Sequence, residues 1–352
     1  MQNNERDTDK EIRSLLSVIN ILLLVIGILV VAIIAMPFIV YKSNQADRTG
    51  QEISAGPDLK KDTTTYWAAP DINSITDSNL KKQVEYGKEL VAHTSKYFGP
   101  NGSVLKMSNG MNCQNCHLQA GTVVYGNNYG SVASLYPKFR ARSGGFESIC
   151  KRVNDCFERS LNGKELDTTG NEMKAIKAYI DFVGSNVPKG TKATGSGFKD
   201  LAYLDRAADP GKGQTVYTAK CQSCHQANGG GVLNIDKTEF TYPPLWGNSS
   251  FNDGAGLYRI SNFARYVKYN MPLGTVHQSP QLSDEEAWDV AAFVLSQPRP
   301  HMDVPKDWPD KTQKPIDHPF GPYADAFTER QHKYGPFKPM LEEQKKKAAT
   351  AK

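Results

Sequence analysis

The chain has 352 residues, 39% apolar and 22% charged, and 42 Lys and Arg against 37 Asp and Glu leave a formal charge of +5. At roughly 100 to 200 residues per domain the length holds two or three domains, and a basic excess so mild and scattered argues against nucleic acid as a partner. Six cysteines are too few for a disulfide scaffold and too regularly spaced to be incidental.

Residues 14–41 carry no charge, and 23 of the 27 residues in Leu15–Tyr41 are apolar. As a helix these 28 residues would extend about 42 Å, more than the ~30 Å hydrocarbon core, so one transmembrane anchor is expected after a polar N-terminus at 1–13. The run is too long for a signal-peptide core, and Ala32–Ala35 makes a poor cleavage site, so the anchor is expected to stay attached. Flanking charge does not orient it, because Arg6, Lys10 and Arg13 are balanced by Lys42, Arg48, Lys60 and Lys61. Residues 42–69 lack apolar periodicity and read as a tether.

Two similar units follow, at 70–190 and 191–300, with a C-terminal extension at 301–352. The first holds Tyr86-Gly87-Lys88, Cys113-Gln114-Asn115-Cys116-His117 and a helical pattern over Asn171–Val183. The second repeats the order with Pro210-Gly211-Lys212-Gly213, Cys221-Gln222-Ser223-Cys224-His225 and a helical pattern over Asp284–Leu295, opened by a Ser283/Glu286 capping box. Ile176–Ile180 aligns with Val290–Val294, and a Gly, Lys and Pro-rich connection over Gly184–Lys199 separates the units. The arrangement is an internal duplication of a helical domain.

The duplicated C-x-x-C-H motif places two thiols at the spacing that forms thioethers to one haem, with the adjacent His as an axial iron ligand. Cys113 and Cys116 with His117, and Cys221 and Cys224 with His225, therefore predict two covalently bound haem c groups. Zinc would need a closing pair of ligands that follows neither motif, and a redox C-x-x-C would need a βαβ context that is missing. Without the anchor the apolar fraction falls to roughly 35%, a lean core that haem would supplement. Haem c is attached outside the cytoplasm, which orients the chain with 1–13 in the cytoplasm and 42–352 on the periplasmic side of the inner membrane.

The sixth ligand differs between the units. Met271 is the Met available between His225 and the last helix of its unit, and Pro272 holds it extended on a loop, as a distal ligand requires. His277 is a rival, and Met302 lies beyond the domain. Between His117 and Met173 there is neither Met nor His; Lys and Tyr residues, Cys150 and Cys156 remain. Phe146, Ile149, Val153, Phe157 and Leu161 have helical spacing, and Cys156 falls on that face with Arg152 one turn before and Ser160 one turn after. A thiolate there would lower the haem potential and favour chemistry over simple transfer. Cys150 lies about 9 Å along the same helix and about 120° around it, too far for a disulfide, so a free, mostly buried thiol is expected.

These residues resemble the diheme thiosulfate dehydrogenases. The likeness covers Gly110–Cys113, Tyr136-Pro137 with Arg140 and Arg142, Arg152–Phe157 running to Ser160–Gly163, Asn270-Met271-Pro272, and the tail at Lys314-Pro315, Pro319–Asp325 and Gln331–Phe337. It implies an all-α fold of two class I cytochrome c-like domains in tandem behind the anchor. It also implies an enzyme joining two thiosulfates into tetrathionate with release of two electrons, or the reverse. The family places Cys156 on the active-site haem with Arg142, Arg152 and Ser160 around it; Arg140 and Lys138 would add to the field. Asn270 departs from members with a Lys beside the distal Met, which favours constant His225/Met271 ligation. The implied electron partner is a small periplasmic cytochrome c or a membrane-bound respiratory chain. The alternatives are a diheme electron carrier without its own substrate and a cytochrome that conjugates thiosulfate to a carrier protein. Lys345–Lys347 is expected to lie in a frayed, solvated tail.

Overall fold

The computed structural model describes residues 64–350, together with helical positions at 22–24, 26, 27 and 29. Apart from those six positions, the expected N-terminus, anchor and tether up to residue 63 lie outside the described residues, among which no helix is long and apolar enough to cross a membrane.

Seven helices of eleven residues or more organise the described residues: α1 Ser78–Ala92, α2 Ile149–Arg159, α3 Asn171–Val183, α4 Pro210–Lys220, α5 Ile260–Asn270, α6 Asp284–Ser296 and α7 Lys338–Thr350. Their starts are set by side chains that accept the orphan amide hydrogens of a first turn. The Asp77 carboxylate accepts from Asn79 and Leu80 at the head of α1, and Asp209 accepts from Gly211 before α4, which has Pro210 in its first turn. Ser283 and Glu286 form the reciprocal capping box of α6 at 3.1 and 2.8 Å. Two small antiparallel hairpins complete the fold, β1 Lys138–Arg140 with β2 Gly145–Glu147, and β3 Val232–Leu233 with β4 Phe240–Tyr242.

The duplication is visible in two crossed helix pairs, α1 on α3 and α4 on α6. Each crossing is closed by a glycine where the backbones touch. A Cβ on Gly87 would stand 2.0 Å from the Ala175 carbonyl oxygen and 2.8 Å from the Tyr179 Cβ; on Gly213 it would stand 1.9 Å from the Asp289 oxygen and 2.8 Å from the Phe293 Cβ. Around each pair lies its own apolar core. One includes Val84, Leu90, Phe98, Phe157, Ile176 and Tyr179; the other includes Tyr217, Trp246, Phe263, Trp288 and Val294.

Several boundaries move relative to the sequence reading. Trp67 and Ala69, placed in the tether, pack on the first core, with the Trp67 indole N–H donating to Asn186 at 2.9 Å. Part of the connection between units belongs to the first unit, since Thr194, Gly195 and Gly197 accept from the backbone of Trp67, Tyr125 and Asn127. The helical pattern drawn from Phe146 starts three residues later: Ser148 caps α2 by accepting from Lys151, and Phe146 sits on β2, exposed, pairing edge-on with Phe139. The C-terminal extension is no appendage. Ile316, Phe337 and Met340 enter the second core, and the buried Asp317 carboxylate accepts from the Arg259 guanidinium and from Ser261. Lys345–Lys347 lie exposed on α7 rather than in a frayed tail.

Gly213→Ala forces α4 away from α6, a strain of the overpacking kind that typically costs ~1–3 kcal/mol. Gly256, where a Cβ would meet nothing within 4 Å, is the control. Denaturant unfolding should show the loss in Gly213→Ala alone; equal stability of the two variants would refute the close-crossing account.

Candidate active site with two haem-binding cavities

Two cavities open beside the two motifs, one of about 240 Å³ in the first unit and one of about 460 Å³ in the second. In the first, Cys113, Cys116 and His117 share the wall with Arg152, Cys156 and Ser160. In the second, Cys221, Cys224 and His225 share it with Met271.

The histidines are built as iron ligands. Nδ1 of His117 faces the Asn127 carbonyl at 2.6 Å and Nδ1 of His225 faces the Pro243 carbonyl at 2.8 Å. A carbonyl only accepts, so each Nδ1 carries the proton and each Nε2 keeps its lone pair, the usual orientation of a metal-bound imidazole. Burial presses the His117 pKa down to about 4 and lowers that of His225, so both rings are neutral and ready to ligate. Burial likewise raises the Cys113 and Cys116 thiols to about 12, and all six cysteines are free of disulfides. The donor sets and cavities fit one thioether-linked haem each.

The distal side of the first cavity is α2. Phe157, fully buried, anchors it edge-on against Phe98, and Asn154 ties the following loop by donating to and accepting from the Leu166 backbone at 3.0 Å. With Phe157 turned into the core, Arg152, Cys156 and Ser160 form a single line facing the cavity, because positions four apart share a helix face. Cys156 is the largest influence on the Arg152 guanidinium and holds its pKa above the ordinary Arg value. Cys150 lies off that wall, a free thiol packed partly buried against the first core. Arg140 and Tyr136 stand at the rim, while Lys138 is exposed on β1. Arg142 does not line the cavity: it lies behind, its Nε 3.9 Å from Asp307. Arg159, which the sequence reading passed over, joins this group through a two-pronged ion pair to Asp307 at 2.8 and 2.9 Å.

In the second cavity Met271 ends α5 in extended backbone, φ −131° and ψ 151°. His277 packs edge-on against Tyr66 and Tyr125 instead of lining that cavity, and Met302 lies against Gly254. Met111, Asn112 and Cys116 line both cavities, so the first motif itself forms the partition. Second-unit groups hold that partition: Tyr266 donates to the Asn115 carbonyl at 2.8 Å, and Glu239 accepts from Asn112 at 2.9 Å and pairs with His93 at 3.0 Å.

Replacing Cys156 with Gly should leave both haems attached, since the thioethers come from other cysteines, yet raise the potential of the first haem by removing an anionic ligand. Cys150→Ser should change neither. A pyridine-haemochrome count with a spectroelectrochemical titration reads both, and a shift in Cys150→Ser without one in Cys156→Gly would show that α2 faces the haem the other way.

Known proteins resemble this chain. Residues 104–188 match the family described as SoxA/TsdA, cytochrome c domain, and residues 211–298 match cytochrome c. The chain is 37% identical over 244 residues to thiosulfate dehydrogenase of Psychrobacter arcticus, covering 68% of this chain and 71% of the relative. It is 39% identical over 203 residues to thiosulfate dehydrogenase of Allochromatium vinosum, covering 56% and 73%. A solved structure of thiosulfate dehydrogenase (TsdBA) from Marichromatium purpuratum, in its as-isolated form, superposes with a TM-score of 0.62 at 29% identity over 67% of this chain and 50% of that chain. This chain thus spans half the length of that protein. With two haem c domains, the first built around a distal helix that presents a thiol, the chain belongs to the thiosulfate dehydrogenase family.

Proposed function

We propose that the protein joins two thiosulfates into tetrathionate, releasing two electrons to a cytochrome c acceptor; haems held by Cys113, Cys116 and His117 and by Cys221, Cys224 and His225 would supply the redox chemistry. The observation that carries this reading is the charge around the thiol. Arg140, Arg152 and Arg159 all lie within electrostatic reach of Arg142, against the carboxylates of Glu147, Asp155 and Asp307. Two dianions about 4 Å apart repel by roughly four times the ~4 kcal/mol of a unit pair at a protein surface, so a site that joins them needs surplus cations.

A haem bound at the first cavity supplies the one-electron acceptor. The chain's residues do the rest. Arg152, held on the wall beside Cys156, places its guanidinium where a sulfonate end would lie, and Arg140 closes the rim. The Ser160 hydroxyl adds a donor to the same line. The apolar remainder of the wall, Val91, Val132, Ile176 and Ile180 among it, excludes water and strengthens each of these charges. Cys156 lies on the same wall beside the Arg152 cation. The partition shared by the two cavities shortens the path for electrons leaving the first haem.

The same site serves the reverse reaction, with the balance set by haem potentials and the partner. We further infer a single-pass anchor at 14–41 in the inner membrane, with the catalytic part in the periplasm. Uncharged length supports the anchor, and haem c attachment supports the side. A small periplasmic cytochrome c or a membrane-bound chain would then take the electrons.

The test is purified holoprotein with thiosulfate and ferricyanide. One tetrathionate should form for every two thiosulfates consumed and two ferricyanides reduced. Arg152→Ala should lower kcat/KM by the equivalent of ~2–4 kcal/mol, the scale of a lost transition-state donor. Ferricyanide reduction without free tetrathionate would point to conjugation to a carrier, and no thiosulfate-dependent reduction would leave only an electron carrier.

A further inference from the structure

Arg142 is a largely buried cation of the cluster with little to pair with. Its side chain is 12% exposed, its one carboxylate contact within 4 Å among the described residues is the 3.9 Å approach to Asp307, and its Nε makes no hydrogen bond. Burial, with the fields of Arg159 and Arg152, brings its pKa down to about 10. A buried guanidinium so placed should swing toward water unless something holds it.

What holds it comes from the C-terminal extension, more than 160 residues away in sequence. The Trp308 backbone N–H donates to the Arg142 carbonyl at 2.7 Å, and the Trp308 ring stands 5.9 Å from the guanidinium carbon, within reach of a cation–π contact. Asp307, next to it, grips Arg159 on the residue before Ser160. The dipeptide is itself fastened, since Lys311 donates to the Trp308 carbonyl at 2.6 Å and to the Asp307 carbonyl at 3.3 Å. Pro309 packs so closely under the turn after Arg142 that a Cβ on Gly144, already at φ +68°, would meet its Cγ at 2.6 Å. Trp308 takes φ +58°, a left-handed conformation that is a genuine outlier for a bulky side chain and that persists where surroundings impose it.

We propose that Asp307 and Trp308 form a positioning clamp through which the C-terminal extension sets the dianion affinity of the first-haem site: the indole holds Arg142 from behind and the carboxylate holds Arg159. The clamp rests on the anion-binding reading above and adds to it residues that touch neither substrate nor haem. It also gives the extension a task in the first unit, although its apolar residues belong to the second core.

Sulfate, a dianion that the site has no means to oxidise, is the probe. Isothermal calorimetry of sulfate into the holoprotein should give a Kd about tenfold weaker in Trp308→Leu than in wild type, and near wild type in Trp308→Phe, which keeps an aromatic face. In an Arg142→Gln background the Leu substitution should have no further effect. In turnover, KM for thiosulfate should rise by the same factor with kcat little changed. Equal sulfate affinity in wild type and Trp308→Leu, an undiminished loss in the Arg142→Gln background, or a wild type that binds no sulfate would each overturn the clamp. Should Trp308→Leu fail to fold, Trp308→Met is judged by the same outcomes. If the sulfate pattern holds while wild type forms no tetrathionate, the clamp stands and the assigned reaction falls.

Discussion

The first-haem site depends on the register of one helix. In α2 the residues at 152, 156 and 160 recur every four positions, so a guanidinium, a thiol and a hydroxyl stand in one line, while Phe157, one position on, is driven into the core against Phe98. That burial of an aromatic ring sets the rotation of the helix, and the rotation decides which cysteine faces the cavity. Cys150, six positions before Cys156, turns away from the cavity for the same reason.

The duplication explains how one scaffold provides two different centres. Both units use a glycine-closed helix crossing and a histidine whose Nδ1 is spent on a carbonyl. They diverge on the distal side, where the second unit offers the thioether of Met271 at the end of α5 and the first offers the thiol of Cys156 from within α2. A thioether raises an iron potential relative to an anionic thiolate, so with Cys156 and Met271 as ligands electrons would run downhill from the first centre to the second. Because Met111, Asn112 and Cys116 wall both cavities, the path between the centres is short, and Tyr266 and Glu239 hold the partition from the second unit.

Much of this was legible in the sequence because it is local. The C-x-x-C-H spacing, the capping box at Ser283 and Glu286, and the repeat of Ile176–Ile180 in Val290–Val294 each lie within a few residues, and the helices over 171–183 and 284–296 follow from them. Local periodicity also put Arg152, Cys156 and Ser160 on one face. It overreached at Phe146, whose spacing mimics the helix although Ser148 interrupts it with a cap and a hairpin claims the residue. The contacts hidden from the sequence are the distant ones. Nothing near Arg159 or Arg142 signals that Asp307 and Trp308 will reach them, and Arg142, which the family resemblance places around the substrate, does not line the cavity. The fate of Trp67 and of residues 194–197 was hidden for the same reason, since each gains its order from a partner more than 60 residues away.

The central claim is that α2 presents Cys156 to the first haem while the second carries Met271. Electron paramagnetic resonance of the oxidised holoprotein tests it most directly, because the two ligand pairs give distinct low-spin signals. One His/thiolate centre and one His/Met centre are expected in equal amounts. Two His/Met centres, or a first centre with no sulfur ligand, would contradict it.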